Sequence, residues 1–273
     1  MSEAAAVTQT QTGPVTVQRL EADLTALGIT AGMTLLVHSS LRAIGWVCGG
    51  PVAVVLALQN LLGAQGTLVM PTHSAGLSDP AQWQNPPVPE SWWATIRQTM
   101  PPFDPDLTPT RKMGAIAECF RKQRDARRSN HPQFSFAARG PHAAAITQTH
   151  SLHFGLGEDS PLARLYDLDA RVLLLGVGHA NNTSLHLAEY RAGYSVQKIV
   201  TNGAPVLEKG RRRWVTVQDL PLNDDDFTQI GADFARQTGL ERRGQVGLAP
   251  ARLFPQRALV DFAARWMAEH RRE

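Results

Sequence analysis

One stretch of the sequence, Arg171 to Arg191, constrains the fold more than any other part of the chain. It opens with a continuous apolar run from Val172 to Leu175, which is typical of a strand covered on both faces. A Gly-Val-Gly turn interrupts that run, and Asn182 or Thr183 can then cap a helix. This order of strand, glycine turn and helix indicates an open α/β sheet, whose ligands bind beyond the carboxyl ends of the strands.

On the predicted helix, His186 and Glu189 are three residues apart and therefore share a face. A neutral imidazole accepts a proton near neutral pH, and a carboxylate orients it and stabilises its charged form. We interpret the two residues as a candidate catalytic pair. A capped surface helix with one buried, hydrogen-bonded histidine explains the local pattern equally well.

The composition is that of a globular protein: 273 residues, 43% hydrophobic and 19% charged. The net charge is only +3, and the arginine clusters at 124–128 and 211–213 lack interleaved aromatic residues, so we expect no nucleic-acid binding.

Two cysteines, Cys48 and Cys119, suggest no disulfide framework and fit a cytoplasmic protein. No run approaches the ~20 apolar residues of a membrane span. The small polar residues at the start predict a disordered tail over residues 1–14.

The front of the chain predicts a βαβ unit. Its elements are a strand over 33–37, a helix over 51–62 and a strand over 66–70, and a helix over 15–27 precedes them. The first strand ends at His38-Ser39-Ser40-Leu41, followed by a loop with Gly45, Gly49 and Gly50. Backbone N–H groups, two hydroxyls and a helix start could there hold an anion. A tight strand-to-helix turn is the alternative.

Residues 72–110 contain many prolines and three tryptophans, and only Glu90 to Thr99 has a helical pattern. We expect an ordered binding loop or lid in this segment. The rest of the chain predicts a helix over 112–121, antiparallel strands over 194–200 and 214–218, and a helix over 224–237. A last strand is predicted near Val246-Gly247, before a C-terminal helix, and the whole of residues 15–273 forms one domain.

Acidic residues gather in the predicted loops, including Asp79, Asp104, Glu158 and Asp159. If these loops meet over the sheet they form a negative pocket for a polycationic molecule, although ordinary capping roles explain the acidic residues individually.

The chain has neither a His-Glu-x-x-His motif nor paired cysteines, so we predict no metal site. It also lacks the Gly-x-Ser-x-Gly elbow of a serine hydrolase.

Several blocks, in order along the chain, together resemble the aminoglycoside 3-N-acetyltransferases. They are Val37-His38-Ser39-Ser40-Leu41-Arg42-Ala43-Ile44-Gly45 with Gly49-Gly50, Gly66-Thr67-Leu68-Val69-Met70-Pro71-Thr72, Phe103-Asp104-Pro105, Thr108-Pro109-Thr110 with Met113-Gly114, His131-Pro132, Ser135-Phe136-Ala137-Ala138, Ser160-Pro161-Leu162, Leu185-His186 with Ala188-Glu189, and Gly247 with Ala249 and Arg252. The resemblance extends over roughly residues 15 to 270.

The resemblance implies a single-domain, three-layer α/β/α fold with a central mixed, mainly parallel sheet, distinct from Gcn5-type acetyltransferases. It also implies acetyl-CoA as the co-substrate and the 3-amine of the deoxystreptamine ring of an aminoglycoside as the acceptor, with antibiotic resistance as the outcome. On this reading His186 is the general base and Glu189 its partner, with His38 and His179 as alternatives for the base.

The same resemblance implies candidate binding residues. For acetyl-CoA they are His38, Ser39, Ser40, Leu41, Gly45, Gly49, Gly50, Thr110 and Arg111, with Lys112 as a further phosphate partner. For the aminoglycoside they are Asp79, Trp83, Asp104, Glu158, Asp159 and His179. We expect a monomer or homodimer without membrane partners. An acetyltransferase for another small amine, and a non-catalytic module that binds CoA or a cationic metabolite, remain alternatives, with a metalloprotein a distant third.

Overall fold

The structure, a computed structural model, describes residues 3–11, 13–193 and 198–271. Its strands are β1 (Thr34–Ser39), β2 (Thr67–Pro71), β3 (Arg127–Arg128), β4 (Phe136–Arg139), β5 (Arg171–Leu175), β6 (Val200–Glu208), β7 (Arg211–Asp219), β8 (Arg242–Val246) and β9 (Ala249–Pro255). Its helices are α1 (Glu3–Gln9), α2 (Val17–Leu27), α3 (Leu41–Ile44), α4 (Gly50–Leu62), α5 (Glu90–Thr99), α6 (Gly114–Arg121), α7 (Ala143–Thr147), α8 (Pro161–Asp167), α9 (Ser184–Arg191), α10 (Phe227–Thr238) and α11 (Gln256–His270).

A seven-stranded sheet in the order β3-β4-β2-β1-β5-β9-β8 forms the centre of the molecule. β1 pairs in parallel with β2 on one side and with β5 on the other. The outer pairings, β2 with β4, β4 with β3, β5 with β9 and β9 with β8, are antiparallel. The predicted mixed sheet is confirmed, but it is not mainly parallel as predicted, because parallel pairing is confined to the three central strands and the outer strands all pair antiparallel.

Helices cover both faces of this sheet, because successive side chains of a strand point to opposite faces. Along β1, Leu35 and Val37 face one core cluster and Leu36 faces the other. Residues of α2, α4 and α6 complete the first cluster, and residues of α8, α9, α10 and α11 complete the second. The three-layer α/β/α architecture is therefore as predicted.

The N-terminal segment differs from the predicted disordered tail, because residues 3–9 form α1. The helix is fixed to the domain by hydrogen bonds. The indole Nε1 of Trp46 donates to Glu3 Oε1 at 3.4 Å, and the backbone N–H of Trp46 donates to Thr10 Oγ1 at 2.8 Å. These contacts join residues far apart in the chain, so local composition gives no sign of them.

The C-terminal part contains two strands where the sequence predicts one near Val246. β8 and β9 pair antiparallel, and β8 lies at the sheet edge with the sequence Arg-Arg-Gly-Gln-Val. Charged side chains are a usual feature of edge strands. The predicted strand near Val246 is the end of β8, whose charged residues hide the rest of it. β9 was missed because Pro250 and Pro255 interrupt its apolar pattern.

A separate hairpin, β6 paired antiparallel with β7, packs against the proline-rich segment 72–110. Phe103 N–H donates to Pro205 O at 3.1 Å, and Arg212 Nε donates to Met100 O at 2.7 Å. The helix over 90–99 and an antiparallel pair that includes the predicted strand over 214–218 are confirmed. The first strand of the pair is displaced from its predicted position at 194–200, because Gly203 and Pro205 lie inside β6 rather than in the connection; residues 194–197 lie outside the described residues. Within the described ranges, no helix is both long and apolar enough to cross a bilayer.

The two glycines of the turn after β5 offer a matched test of the fold. Gly176 has φ +71°, and a Cβ there would lie 2.4 Å from Ala43 Cβ, whereas a Cβ on Gly178 would have no atom within 4 Å. We expect Gly176→Ala to lower the free energy of unfolding by about 3 kcal/mol, because left-handed backbone and overpacking each cost ~1–3 kcal/mol. We expect Gly178→Ala to stay within about 0.5 kcal/mol of the wild type. Urea denaturation measures both, and equal stability of the two variants would contradict the turn geometry.

Candidate active site

A cavity of about 680 Å³ opens at the carboxyl ends of the central parallel strands. Its wall includes His38, Ser39, Ser40, Leu41, Arg42, Gly45, Trp46, Val47, Gly50, Pro71, Lys112, Met113, Gly114, Val177, Asn181 and Thr183, with Glu3 and Ala6 of α1 on one side. This is the edge where the order strand, glycine turn and helix predicts ligand binding.

Most residues predicted to bind the cofactor line this cavity, namely His38, Ser39, Ser40, Leu41, Gly45 and Gly50. Gly49 is the residue before α4 and has φ +88°. Thr110 and Arg111 lie outside the cavity wall. The backbone N–H and hydroxyl of Thr110 both donate to Glu118 Oε2 at 2.9 Å, and Arg111 N–H donates to His73 O at 2.8 Å. Lys112, the next residue, does line the wall.

The cavity wall combines positive charge with an apolar surface. The side chains of Arg42 and Lys112 supply two cations. The start of α4, with proline in its first turn, supplies backbone N–H groups without intrahelical partners. Trp46 and Val177 supply apolar area. Such a wall suits a ligand that has both phosphate groups and an apolar arm.

His186 and Glu189 form the hydrogen bond that their spacing on α9 predicts. His186 Nδ1 lies 2.6 Å from Glu189 Oε2, and the Glu189 side chain is only 1% exposed. The imidazole ring packs against Phe227, with ring centroids 4.8 Å apart. Neither side chain lines the cavity, although Thr183, the residue before α9, does. Because Nδ1 faces the carboxylate, Nε2 is the ring nitrogen that Glu189 does not hold.

Two further histidines surround His186 and are held neutral. Burial, followed by the neighbouring charge of His186, lowers the pKa of His38 from its usual value to about 3. The same two causes lower the pKa of His73 to about 3. His38 Nε2 lies 3.4 Å from Thr183 Oγ1, so it faces the residue that precedes α9. Both imidazoles are therefore uncharged at neutral pH.

A buried carboxyl group, Asp219, lies at the end of β7 on the other side of the pair. Tyr190 OH donates to Asp219 Oδ1, and Gly155 N–H donates to Oδ2 at 3.3 Å. Burial raises the pKa of Asp219, while the hydrogen bond from Tyr190 and the charge of His186 oppose that rise. A potential anion therefore stands near the imidazole.

The residues predicted to bind the acceptor are engaged within the chain rather than gathered in one pocket. Asp79 accepts hydrogen bonds from Arg97, Asp104 Oδ1 caps the N–H groups of residues 106 and 107, and Glu158 pairs with Arg191. Trp83 Nε1 donates to Ser78 Oγ at 2.9 Å, and Asp159 is exposed. His179 lies outside the cavity wall, with its Nε2 2.7 Å from Glu241 Oε2 and its ring stacked on Phe254.

Several site residues escape the sequence analysis. His73 lies two residues beyond the end of β2, and His38 is the residue before the last of β1, so the strand-end criterion that selected His38 could have found His73 too. Asp219, Asn223 and Arg271 reach the pair only through tertiary packing. In the described ranges, no group of three or more His, Cys, Asp or Glu side chains is placed to hold a metal ion.

Comparison with known proteins connects this geometry to one family. A family model described as aminoglycoside 3-N-acetyltransferase matches residues 36–268. The chain is 47% identical to the SPbeta prophage-derived aminoglycoside N(3')-acetyltransferase-like protein YokD of Bacillus subtilis, over 95% of each chain. It is 38% identical to aminoglycoside N(3)-acetyltransferase VII of Streptomyces paromomycinus, over 94% of this chain and 93% of that enzyme.

Solved structures are similar over nearly the whole chain. The crystal structure of YokD has a TM-score of 0.94 at 46% identity, with 97% of each chain covered. A structure described as AAC-VIa bound to sisomicin has a TM-score of 0.85 at 32% identity, covering 94% of this chain and 98% of that one. A structure described as AAC-IIIb binary with CoASH has a TM-score of 0.84 at 29% identity, covering 94% and 97%.

The buried histidines predict how stability depends on pH. Burial lowers the pKa of His38, His73 and His150, to about 3, 3 and 4, and that of His131 well below its usual value of 6.5. Between about pH 6.5 and pH 4 the unfolded chain therefore binds protons that the folded chain does not, so the free energy of unfolding falls as pH falls. Each histidine contributes up to about 1.4 kcal/mol per pH unit.

Urea denaturation between pH 7.5 and pH 5 measures this slope. We expect His150→Gln to reduce the slope by up to one proton, because its imidazole can no longer take up a proton on unfolding. The matched variant at an exposed histidine, His153→Gln, should leave most of the slope in place. A His150→Gln protein with the wild-type slope would contradict the burial argument.

Proposed function

The chain belongs to the aminoglycoside 3-N-acetyltransferase family, and on that premise we propose that it transfers the acetyl group of acetyl-CoA to the 3-amine of the deoxystreptamine ring of an aminoglycoside. The observation that carries the proposal is the His186–Glu189 hydrogen bond beside an open cavity with a cationic and apolar wall. The neighbours described with CoASH and with sisomicin support the two substrates.

The cavity wall is suited to hold acetyl-CoA. Arg42 and Lys112 would bind phosphate oxygens, together with the backbone N–H groups at the start of α4. Trp46 and Val177 would contact the pantetheine arm. The residues Ser39 to Leu41, at the strand end nearest α9, would lie along the thioester.

The chemistry requires a base, because the acceptor amine is an ammonium ion in water and must lose a proton before it attacks. His186 would take that proton on Nε2, directly or through a water molecule, since its Nδ1 faces Glu189. The neutral amine then forms a bond to the acetyl carbon, the nitrogen loses its second proton to solvent as the C–S bond breaks, and the CoA thiolate leaves. The proton held by His186 returns to that thiolate or to solvent.

Two other features of the site would assist direct transfer. Backbone N–H groups of the Ser40–Gly50 loop would stabilise the oxyanion that forms on the acetyl carbonyl. His38 stays neutral because its pKa is lowered to about 3, so its ring brings no positive charge to repel the cationic acceptor.

Two observations favour a second class of acceptor. The carboxylates predicted to bind the aminoglycoside at 79, 104 and 158 form contacts within the chain. The relative with 47% identity is moreover named acetyltransferase-like rather than acetyltransferase. A smaller amine with fewer cationic groups would need fewer carboxylates and is the alternative acceptor.

The first experiment measures free thiol released from acetyl-CoA with a panel of amines. We expect release with aminoglycosides that have a free 3-amine and none above background with the same compounds acetylated at that amine, because an amide nitrogen does not attack a thioester. Release only with small monoamines would favour the alternative acceptor. CoA binding without release by any amine would contradict the proposed activity and leave a binding module.

A further inference from the structure

The carboxylate of Glu189 has contacts on both oxygens. Oε2 faces His186 Nδ1 at 2.6 Å. Oε1 accepts a hydrogen bond from the backbone N–H of Asn223 at 2.9 Å and another from Arg271 Nη1 at 2.6 Å. Glu189 is therefore buried between an imidazole and a guanidinium, and the guanidinium comes from the residue that follows α11.

Arg271 is held by groups other than Glu189. Its Nε donates to Asp226 Oδ2 at 2.7 Å and its Nη2 to Asp226 Oδ1 at 2.6 Å, a two-point contact that fixes the plane of the guanidinium. Nη2 also donates to the carbonyl of Asn223 at 2.8 Å. The Arg271 side chain is only 13% exposed. Its orientation toward Glu189 is thus set in advance by the loop before α10.

The backbone of Asn223 contacts both Glu189 and Arg271. Its N–H binds the carboxylate of Glu189, and its carbonyl binds the guanidinium of Arg271. α9, which carries the catalytic pair, and α11 also pack against each other through the second core cluster. A movement of the C-terminal end of α11 would therefore be transmitted to the carboxylate that orients His186.

We propose that Arg271 is a positioning residue for acetyl transfer: through Glu189 it fixes the orientation of His186 and offsets the negative charge beside that imidazole. This inference rests on the proposed role of His186 as the base. Glu189 has two tasks, orientation of the ring and stabilisation of its charged form. A buried carboxylate without a second partner would favour the charged form of His186 before the acceptor arrives, and a charged imidazole accepts no proton.

Other ionisable groups near the pair bear on its dependence on pH. On the strand side these are His38 and His73, whose pKa values are lowered by burial, so they stay neutral above pH 5. On the side of β7 and α9 they are Asp219 and Tyr190, whose pKa values burial raises. Asp226 faces Arg271. Arg271 brings a positive charge into contact with Glu189 on the side away from His186.

The test compares Arg271→Gln and Arg271→Lys with a matched arginine variant, Arg236→Gln. Like Arg271, Arg236 pairs with an aspartate, in this case Asp233 on the same helix, α10. The Arg236 side chain is however 73% exposed. For Arg271→Gln we expect kcat to fall about 10-fold to 100-fold, because a base that is displaced from the acceptor amine removes its proton more slowly. The KM for acetyl-CoA should stay within about twofold, since Arg271 does not line the cavity. Arg271→Lys should recover part of kcat, and Arg236→Gln should match the wild type.

The pH profile separates positioning from a merely structural role. In Arg271→Gln the acid limb of kcat/KM should move to higher pH, because loss of a positive charge near Glu189 favours the protonated imidazole. A folded Arg271→Gln protein with the wild-type kcat and the wild-type acid limb would overturn the proposal. So would a fall in kcat that tracks a fall in thermal stability, with no movement of the acid limb.

A second readout does not require turnover. The imidazole signals of His186, assigned by their loss in His186→Gln, are followed by NMR from pH 5 to pH 9 in the wild type and in Arg271→Gln. We expect the titration of His186 to move to higher pH in the variant, and an unchanged titration would overturn the proposal. If the wild type acetylates no amine at all, the proposed function fails, and this titration still decides whether Arg271 acts on His186.

Discussion

The parallel pairing of β1 with β5 is the contact on which the rest of the site depends. It aligns Leu36 with Val172 and Ser39 with Leu175, so that the two strands end at the same edge of the sheet. Ser40 N–H extends the pairing by one bond to Leu175 O, at 2.9 Å. Segments that are far apart in the sequence, the loop that begins at Ser40 and the turn that begins at Gly176, are thereby brought side by side.

The same pairing supplies both cores. Side chains alternate across the sheet, so Leu173 enters the first cluster and Leu174 the second. Each strand is buried on both faces, as in other sheets covered by helices on both sides. The helix α9, which carries His186 and Glu189, follows the turn after β5, and the burial of Leu185 and Leu187 in the second cluster fixes its rotation about its own axis. Accurate placement of His186 is a consequence of core packing.

Electrostatics divides the site into two regions. Near the mouth, Arg42 and Lys112 provide cations that can meet phosphate groups. Near α9 the histidines 38 and 73 remain neutral, since burial holds the pKa of each near 3. The negative charge of Glu189 is shared between an imidazole and a guanidinium. The cations of the cavity wall are therefore separate from the carboxylate that holds His186, which does not line that wall.

Much of the fold could be predicted from the sequence, because its information is local. The apolar run at 172–175 became β5, and the periodic pattern over 15–27 became α2. The His186–Glu189 contact also follows from local spacing, since residues three apart on a helix are neighbours.

What could not be predicted depends on tertiary contacts. Asp79 pairs with Arg97, a contact that no local spacing indicates, and its role toward an acceptor stays a prediction. α1 is a helix fixed by contacts with Trp46 rather than a tail. Arg271 reaches Glu189 only after α11 has packed against α9. No spacing rule joins residues 189 and 271, and a charged residue near the end of a chain usually indicates nothing more than solvent exposure.

The most direct measurement of the central claim is the turnover of His186→Gln with a competent amine and acetyl-CoA. Glutamine keeps a polar side chain of similar size but cannot take up a proton. The expected result is a kcat lower by about 10²–10⁴-fold, with unchanged affinity for CoA and wild-type stability toward urea. Wild-type turnover by a folded His186→Gln protein would contradict the assignment of His186 as the base that deprotonates the acceptor.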